Sequence, residues 1–216
     1  MINAVIFDLD GLLLDTEIVA FKVYEELGRR FNFELTLQEF MQDFCGRPLG
    51  RNVAHCNERF QLPWGFEEAV EEVLRIEKQI LDEGVEVMSG ARELLDFLKE
   101  NKYKTAVASS SARERSIKLL EKHGLVKYFD DFVFGPEVEK SKPNPDIFLK
   151  AAEKIGVEPE KCLVLEDSQA GIQAAYSAGM YVICIPDLKY PTEEYVQMAT
   201  DVKESLFDVI EYLQKL

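Results

Sequence analysis

Four short stretches hold most of the side chains that could do chemistry in this chain of 216 residues. AVIFDLDGLLLDTE (4–17) ends an apolar run with Asp8 and Asp10, followed by Gly11. TAVASSS (105–111) ends in Ser109, Ser110 and Ser111. KSKPNPD (140–146) sets Lys142 ahead of Pro143, which biases the backbone at 142 to an extended form and lets the side chain be aimed. CLVLEDSQAG (162–171) supplies Glu166 and Asp167. In extended backbone Asp8 and Asp10 point to the same side. One could attack phosphorus while the other serves the leaving oxygen. Bare carboxylates cannot all share one site, because two like charges ~4 Å apart cost about 4 kcal/mol at an effective dielectric near 20. A hard divalent cation resolves the conflict, and Mg²⁺ takes few carboxylates together with water and phosphate oxygens. With Mg²⁺ and Lys142 present, one carboxyl can keep a proton, and two carboxyls with separated roles suit acid–base chemistry at neutral pH. No GxxxxGK[ST] or GxGxxG loop occurs. Phosphate would instead meet the Ser109 hydroxyl, backbone amides at a helix start over 109–112, Lys142 and the metal. Taken alone, Ser109 reads as a helix cap and Lys142 as a solvated loop lysine.

The elements that position these residues follow from the hydrophobic pattern. Apolar runs at 4–7, 105–108, 131–134, 162–165 and 181–185 read as strands. They are continuous rather than alternating, as in a parallel sheet covered on both faces. Helical periodicity lies between them: Ala91, Leu94, Leu95 and Leu98 share one face, as do Ile147, Phe148, Ala151, Ala152 and Ile155. Ser111 with Glu114 predicts a capping box for the helix after the second strand, and Gly124 and Gly156 read as stops. The 168–178 helix is rich in small residues, with Gly171 inside it, which would let it lie close to the sheet. Residues 16–84 break the alternation and read as successive helices at about 16–31, 36–44, 50–60 and 66–83, with a capping box at Thr36 and Glu39. The fold expected is α/β: a doubly wound parallel sheet formed by 1–15 and 85–216, with an inserted all-helical cap over 16–84. Ligands of such sheets bind at the carboxyl ends of the strands, where the four stretches would converge.

Composition narrows the partners. The formal net charge is −15 and the pI about 4.7, a surface that repels nucleic acid and anionic lipid. Four cysteines without CxxC pairing and two histidines offer no zinc-ligand spacing. Cys162 and Cys184 lie in strand-like runs and read as buried reduced thiols. No apolar run approaches the ~18 residues of a membrane span. A cytosolic monomer is expected, acting on a small phosphorylated metabolite.

The motifs DLDGLLLDTE, VASSS, KSKPNPD and LEDSQAG resemble, in order, the four motifs of the haloacid-dehalogenase-like hydrolases. Within that superfamily the chain is similar to the branch of β-phosphoglucomutase and the small phosphomonoester phosphatases. The resemblance implies that Asp8 is the nucleophile and forms an aspartyl-phosphate, and that Asp10 protonates the leaving oxygen and then activates water. It implies that Asp8, the Asp10 backbone carbonyl, and Asp167 with or beside Glu166 hold Mg²⁺. Ser109 and Lys142 would bind the transferring phosphoryl group, with Ser110, Ser111 and the cap's Arg47 as substrate contacts. The chain departs from the mutase pattern in the cap, with Ala20 where the mutase has histidine and Leu49 where it has arginine. Hydrolysis is therefore expected over the alternative, β-phosphoglucomutase activity. A non-catalytic phosphate sensor is the reading from another class, and an intact Asp8–Asp10 pair weighs against it. His55, His123 and Trp64 read as packing or surface residues.

Overall fold

The computed structural model describes all 216 residues. Six parallel strands form one sheet: β1 (Ala4–Phe7), β2 (Lys104–Ser109), β3 (Asp131–Phe134), β4 (Cys162–Glu166), β5 (Tyr181–Cys184) and β6 (Asp201–Val202), in the order β3-β2-β1-β4-β5-β6. The chain winds outward from β1 to β3, then crosses to the other side of β1 for β4. The strand order reverses at β1, and its carboxyl end is therefore the topological switch point where such sheets bind ligands. The register puts Phe7 level with Val107 on one side and Leu165 on the other. Asp8, Ser109 and Glu166 thus leave the sheet close together.

Both faces of the sheet are covered, which is why its strands are continuously apolar. On one face α7 (Asp146–Ile155) and α8 (Gln169–Ser177) bury Ile147, Phe148, Ala151, Ile172 and Ala175 against Ile6, Ala108, Val164 and Val182. Elsewhere α5 (Ala91–Glu100) packs beside α10 (Leu206–Gln214). The helix α6 (Arg113–Lys122) follows β2, and α9 (Glu193–Met198) precedes β6. The four cysteines are buried and form no disulfide, and burial pushes the Cys162 thiol up to about 11 and that of Cys184 up to about 12. No helix is long and apolar enough to cross a membrane.

Two compact units result: Met1–Leu14 with Val87–Leu216, and Asp15–Glu86. The second consists of α1 (Thr16–Phe31), α2 (Leu37–Asp43), α3 (Leu49–Phe60) and α4 (Phe66–Glu83). Its core holds an aromatic group, Tyr24, Phe40 and Phe44. Trp64 packs on Phe31 and donates its indole N–H to Asn57 at 2.7 Å, a structural role. The unit reaches past the expected 16–84 because the Asp15 amide donates to the Glu86 carbonyl at 3.0 Å and ties both ends together.

Two local expectations need correction. The Ser111–Glu114 capping box does not form: α6 is preceded by Ala112, with no side-chain cap, and the Ser111 hydroxyl turns to Asp10 instead. A sixth strand is present, only two residues long and too short to leave a pattern. The Thr36–Glu39 capping box is formed as expected.

Candidate active site

The site is built on the carboxyl ends of β1, β2 and β4. The Asp8 amide donates to Leu165 O at 3.0 Å, which carries the ladder one residue past β1 and fixes the carboxylate over the sheet edge. Glu166, the last residue of β4, is completely buried. Between them lies Lys142, whose side chain is 6% exposed. Its ammonium donates to Asp8 Oδ1 at 2.5 Å, Glu166 Oε1 at 2.7 Å and the Ala108 carbonyl at 3.0 Å. An ammonium has three donors, and each has an acceptor here. The second Glu166 oxygen, Oε2, accepts from the Ser168 amide and hydroxyl, both at 2.9 Å. Ser168 in turn caps α8 by accepting from the Gly171 amide at 3.1 Å.

The charge balance of this buried group is uneven. Burial favours the neutral form of Lys142, yet the attraction of Asp8 and Glu166 outweighs it and holds the ammonium charged above its ordinary range. One cation then faces two carboxylates. Burial pushes Asp8 up to about 7, and the charges of Glu166 and Asp10 add to this against the opposing pull of Lys142. The second negative charge is what the protein alone does not compensate.

Asp10 faces a different set of partners. Its Oδ2 accepts from the hydroxyls of Ser109 at 3.2 Å and Ser111 at 2.7 Å, and its Oδ1 from the Arg115 guanidinium at 2.8 Å. The Ser109 hydroxyl also accepts from the Ser111 amide at 3.1 Å. The two aspartates, though two residues apart, thus sit in separate environments: Asp8 with a buried lysine, Asp10 with hydroxyls and an arginine. Gly11 has φ +80°, and a Cβ there would lie 2.6 Å from Asp167 Oδ2 and 3.4 Å from Asp187 Oδ2. Glycine lets the backbone turn and lets the Asp167 carboxylate come up against it.

The structure therefore brings together Asp8, Asp10, Ser109, Ser111, Lys142 and Glu166, with Asp167 beside Gly11. Ser110 is exposed. Arg47 is exposed on the helical unit. His55 lies against Phe44 within that unit, and His123 follows the last turn of α6. Sequence reasoning missed Arg115 and Asp187. Arg115 lies four residues after Ser111, and Asp187 lies in the loop following β5. Spacing and strand-end position were the signals available for them.

The four carboxylates Asp8, Asp10, Glu166 and Asp167 are not gathered into one donor cluster; no set of three or more His, Cys, Asp or Glu side chains is arranged to hold a metal. Both Glu166 oxygens are occupied by Lys142 and Ser168, and the Asp10 carboxylate by Ser109, Ser111 and Arg115. The Asp8 and Asp167 carboxylates, with backbone carbonyls, are the oxygen groups that would hold a cation at this edge. Mg²⁺ fits such a set, because it usually takes one or two carboxylates and completes its shell with water and phosphate oxygens. The uncompensated charge at Asp8 fits it too.

The model of the haloacid dehalogenase-like hydrolase family matches residues 5–185, which include all four motifs. The chain belongs to this family. A phosphorylated carbohydrates phosphatase of Thermotoga maritima is 34% identical over 178 residues, 82% of this chain and 82% of that protein. A Drosophila melanogaster protein named as a probable pseudouridine-5′-phosphatase is 37% identical over 213 residues, 94% of this chain and 89% of the other. Among solved structures, a Thermotoga maritima protein provisionally assigned as a β-phosphoglucomutase superposes with a TM-score of 0.86 at 29% identity, covering 100% of both chains. Within the family, this haloacid dehalogenase-like hydrolase is a phosphatase, similar to the β-phosphoglucomutase-like branch.

Proposed function

We propose that this phosphatase is an Mg²⁺-dependent phosphomonoesterase for a small phosphorylated metabolite of the sugar-phosphate kind, working through an aspartyl-phosphate on Asp8. The observation that carries the reading is the Lys142 ammonium shared between Asp8 and Glu166, with Asp10 held separately by Ser109 and Ser111. Similarity to phosphatases named for phosphorylated carbohydrates and a nucleoside phosphate supports a small substrate.

In the first step an Asp8 oxygen attacks phosphorus, the ester P–O bond breaks, and protonated Asp10 gives its proton to the leaving oxygen. In the second, Asp10 takes a proton from water, the water oxygen attacks the same phosphorus, and the bond between phosphorus and Asp8 breaks. Inorganic phosphate leaves and both aspartates return to their starting states. Lys142 stabilises the charge on the transferring group, and Ser109 orients it. Asp8, the Asp10 carbonyl and Asp167 would hold Mg²⁺, which when bound neutralises Asp8 and the phosphoryl oxygens. Glu166 acts as the partner that fixes Lys142, and Ser111 as a partner of Asp10. Arg47 and Ser110 are retained as proposed substrate contacts.

The test is a panel of phosphate esters assayed with Mg²⁺ and with EDTA, including β-glucose 1-phosphate. Metal-dependent phosphate release, abolished by Asp8→Asn, is expected. Release from no ester would overturn the reading, and glucose 6-phosphate in place of inorganic phosphate would identify a mutase.

A further inference from the structure

Gly171 is the third residue of α8, after the Ser168 cap. A Cβ built there would meet the Glu166 carboxylate at 1.8 Å (Oε1), 1.9 Å (Cδ) and 2.3 Å (Oε2), and these are its three nearest atoms. Gly171 lies within a regular helix, so backbone conformation does not call for glycine, and alanine is the better helix former. Space for the carboxylate does call for it. Small residues on this helix were expected to serve close packing on the sheet, but at Gly171 the nearest atoms belong to a functional side chain.

Glu166 has no easy retreat. Lys142 holds one oxygen at 2.7 Å, the Ser168 amide and hydroxyl hold the other at 2.9 Å, and the side chain is completely buried. We propose that Gly171 is a positioning residue: its missing side chain is the seat of the Glu166 carboxylate, which fixes the Lys142 ammonium against Asp8. The chain of contacts runs from Gly171 through Glu166 and Lys142 to Asp8. The catalytic half of this inference rests on the proposed role of Lys142 in phosphoryl transfer; the seat itself does not.

The test compares Gly171→Ala in two backgrounds, the wild type and Glu166→Ala, where the seat is vacated. In the wild type, Gly171→Ala is expected to lower kcat at least about 10-fold with a smaller change in KM, and to lower Tm. In Glu166→Ala the same change should cost no further kcat and should raise Tm by about 2–4 °C, as a helix-favouring substitution does in a domain of this size. A Tm decrease of equal size in both backgrounds would overturn the proposal. So would a Gly171→Ala enzyme with wild-type kcat and Tm. If Gly171→Ala does not fold alone, rescue of folding by Glu166→Ala supports the seat and failure of rescue overturns it. Glu166→Asp, one methylene shorter, serves as a second background for the same comparison. The thermal measurement needs no substrate. If even the wild type hydrolyses no ester, the functional reading fails while the sign of the Tm change still decides the seat.

Discussion

The Lys142 ammonium stands 4.8 Å from the centroid of the Phe148 ring. The ring covers the cation on one side, while Asp8, Glu166 and the Ala108 carbonyl take its three donors. Phe148 lies six residues after Lys142, in the first turns of α7, and is fully buried. The loop and helix that present the lysine therefore also supply its aromatic support. A desolvated cation–π contact is worth about 2 kcal/mol. Phe148→Leu is expected to lower kcat/KM by roughly 10-fold and Phe148→Tyr to retain most of it. Steady-state kinetics of the two variants decide the matter: equal losses would assign Phe148 to core packing alone.

The raised Asp8 carboxyl makes stability depend on pH. A carboxyl whose folded value lies above the ordinary 3.8 favours folding while protonated. That contribution is complete below about 3.8 and is lost as pH rises through about 7. Asparagine at this position never ionises. In EDTA, Asp8→Asn and the wild type should differ little in the pH dependence of Tm below pH 4. The variant should then gain on the wild type up to about pH 7 and level off above it. Thermal melts across that range check this, and a difference between the two proteins that stays constant with pH would refute it.

Arg115 is the prediction that only the structure permits. Its guanidinium donates to Asp10 Oδ1 at 2.8 Å and to the Ser111 hydroxyl at 3.3 Å, so it fixes the direction of the proposed acid–base carboxylate. A misdirected proton donor slows chemistry more than binding. Arg115→Ala should lower kcat by roughly 10-fold with KM within about a factor of two, and Arg115→Lys should recover part of the loss. A rise in KM with unchanged kcat would instead place Arg115 on the substrate.

The sheet and the strand-end residues were legible because both depend on strong local patterns. Continuous apolar runs mark strands covered on both faces, and reactive side chains at their ends fall at the switch point whatever the connecting helices do. Long-range choices left no such mark. Nothing local distinguishes a capping serine from one whose hydroxyl donates to an aspartate 101 positions away, as Ser111 does to Asp10. Glu166 reads in the sequence as a metal carboxylate or a neighbour of one, because charge type and position are visible. Its double engagement by Lys142 and Ser168 depends on the packing of α8. Gly171 read as a small packing residue for the same reason: the sequence shows that a side chain is missing but not what fills the space.

Ser111 and Thr36 make that distinction measurable, since both head an S/T-x-x-E sequence. Thr36 accepts from the Glu39 amide at 3.2 Å, and Glu39 accepts from the Thr36 amide at 2.9 Å, a complete capping box. Ser111 has no such bond to α6, and its hydroxyl donates to Asp10 at 2.7 Å. Loss of a true cap costs about 1 kcal/mol, or about 2–4 °C in a protein of this size. Thr36→Ala should therefore lower Tm by that amount and leave kcat near wild type. Ser111→Ala should do the reverse, leaving Tm nearly unchanged while kcat falls several-fold as Asp10 loses the 2.7 Å hydrogen bond from Ser111. Melting curves and kinetics on the two variants separate the roles. A Tm loss in Ser111→Ala matching that of Thr36→Ala would restore the cap reading and remove Ser111 from the site.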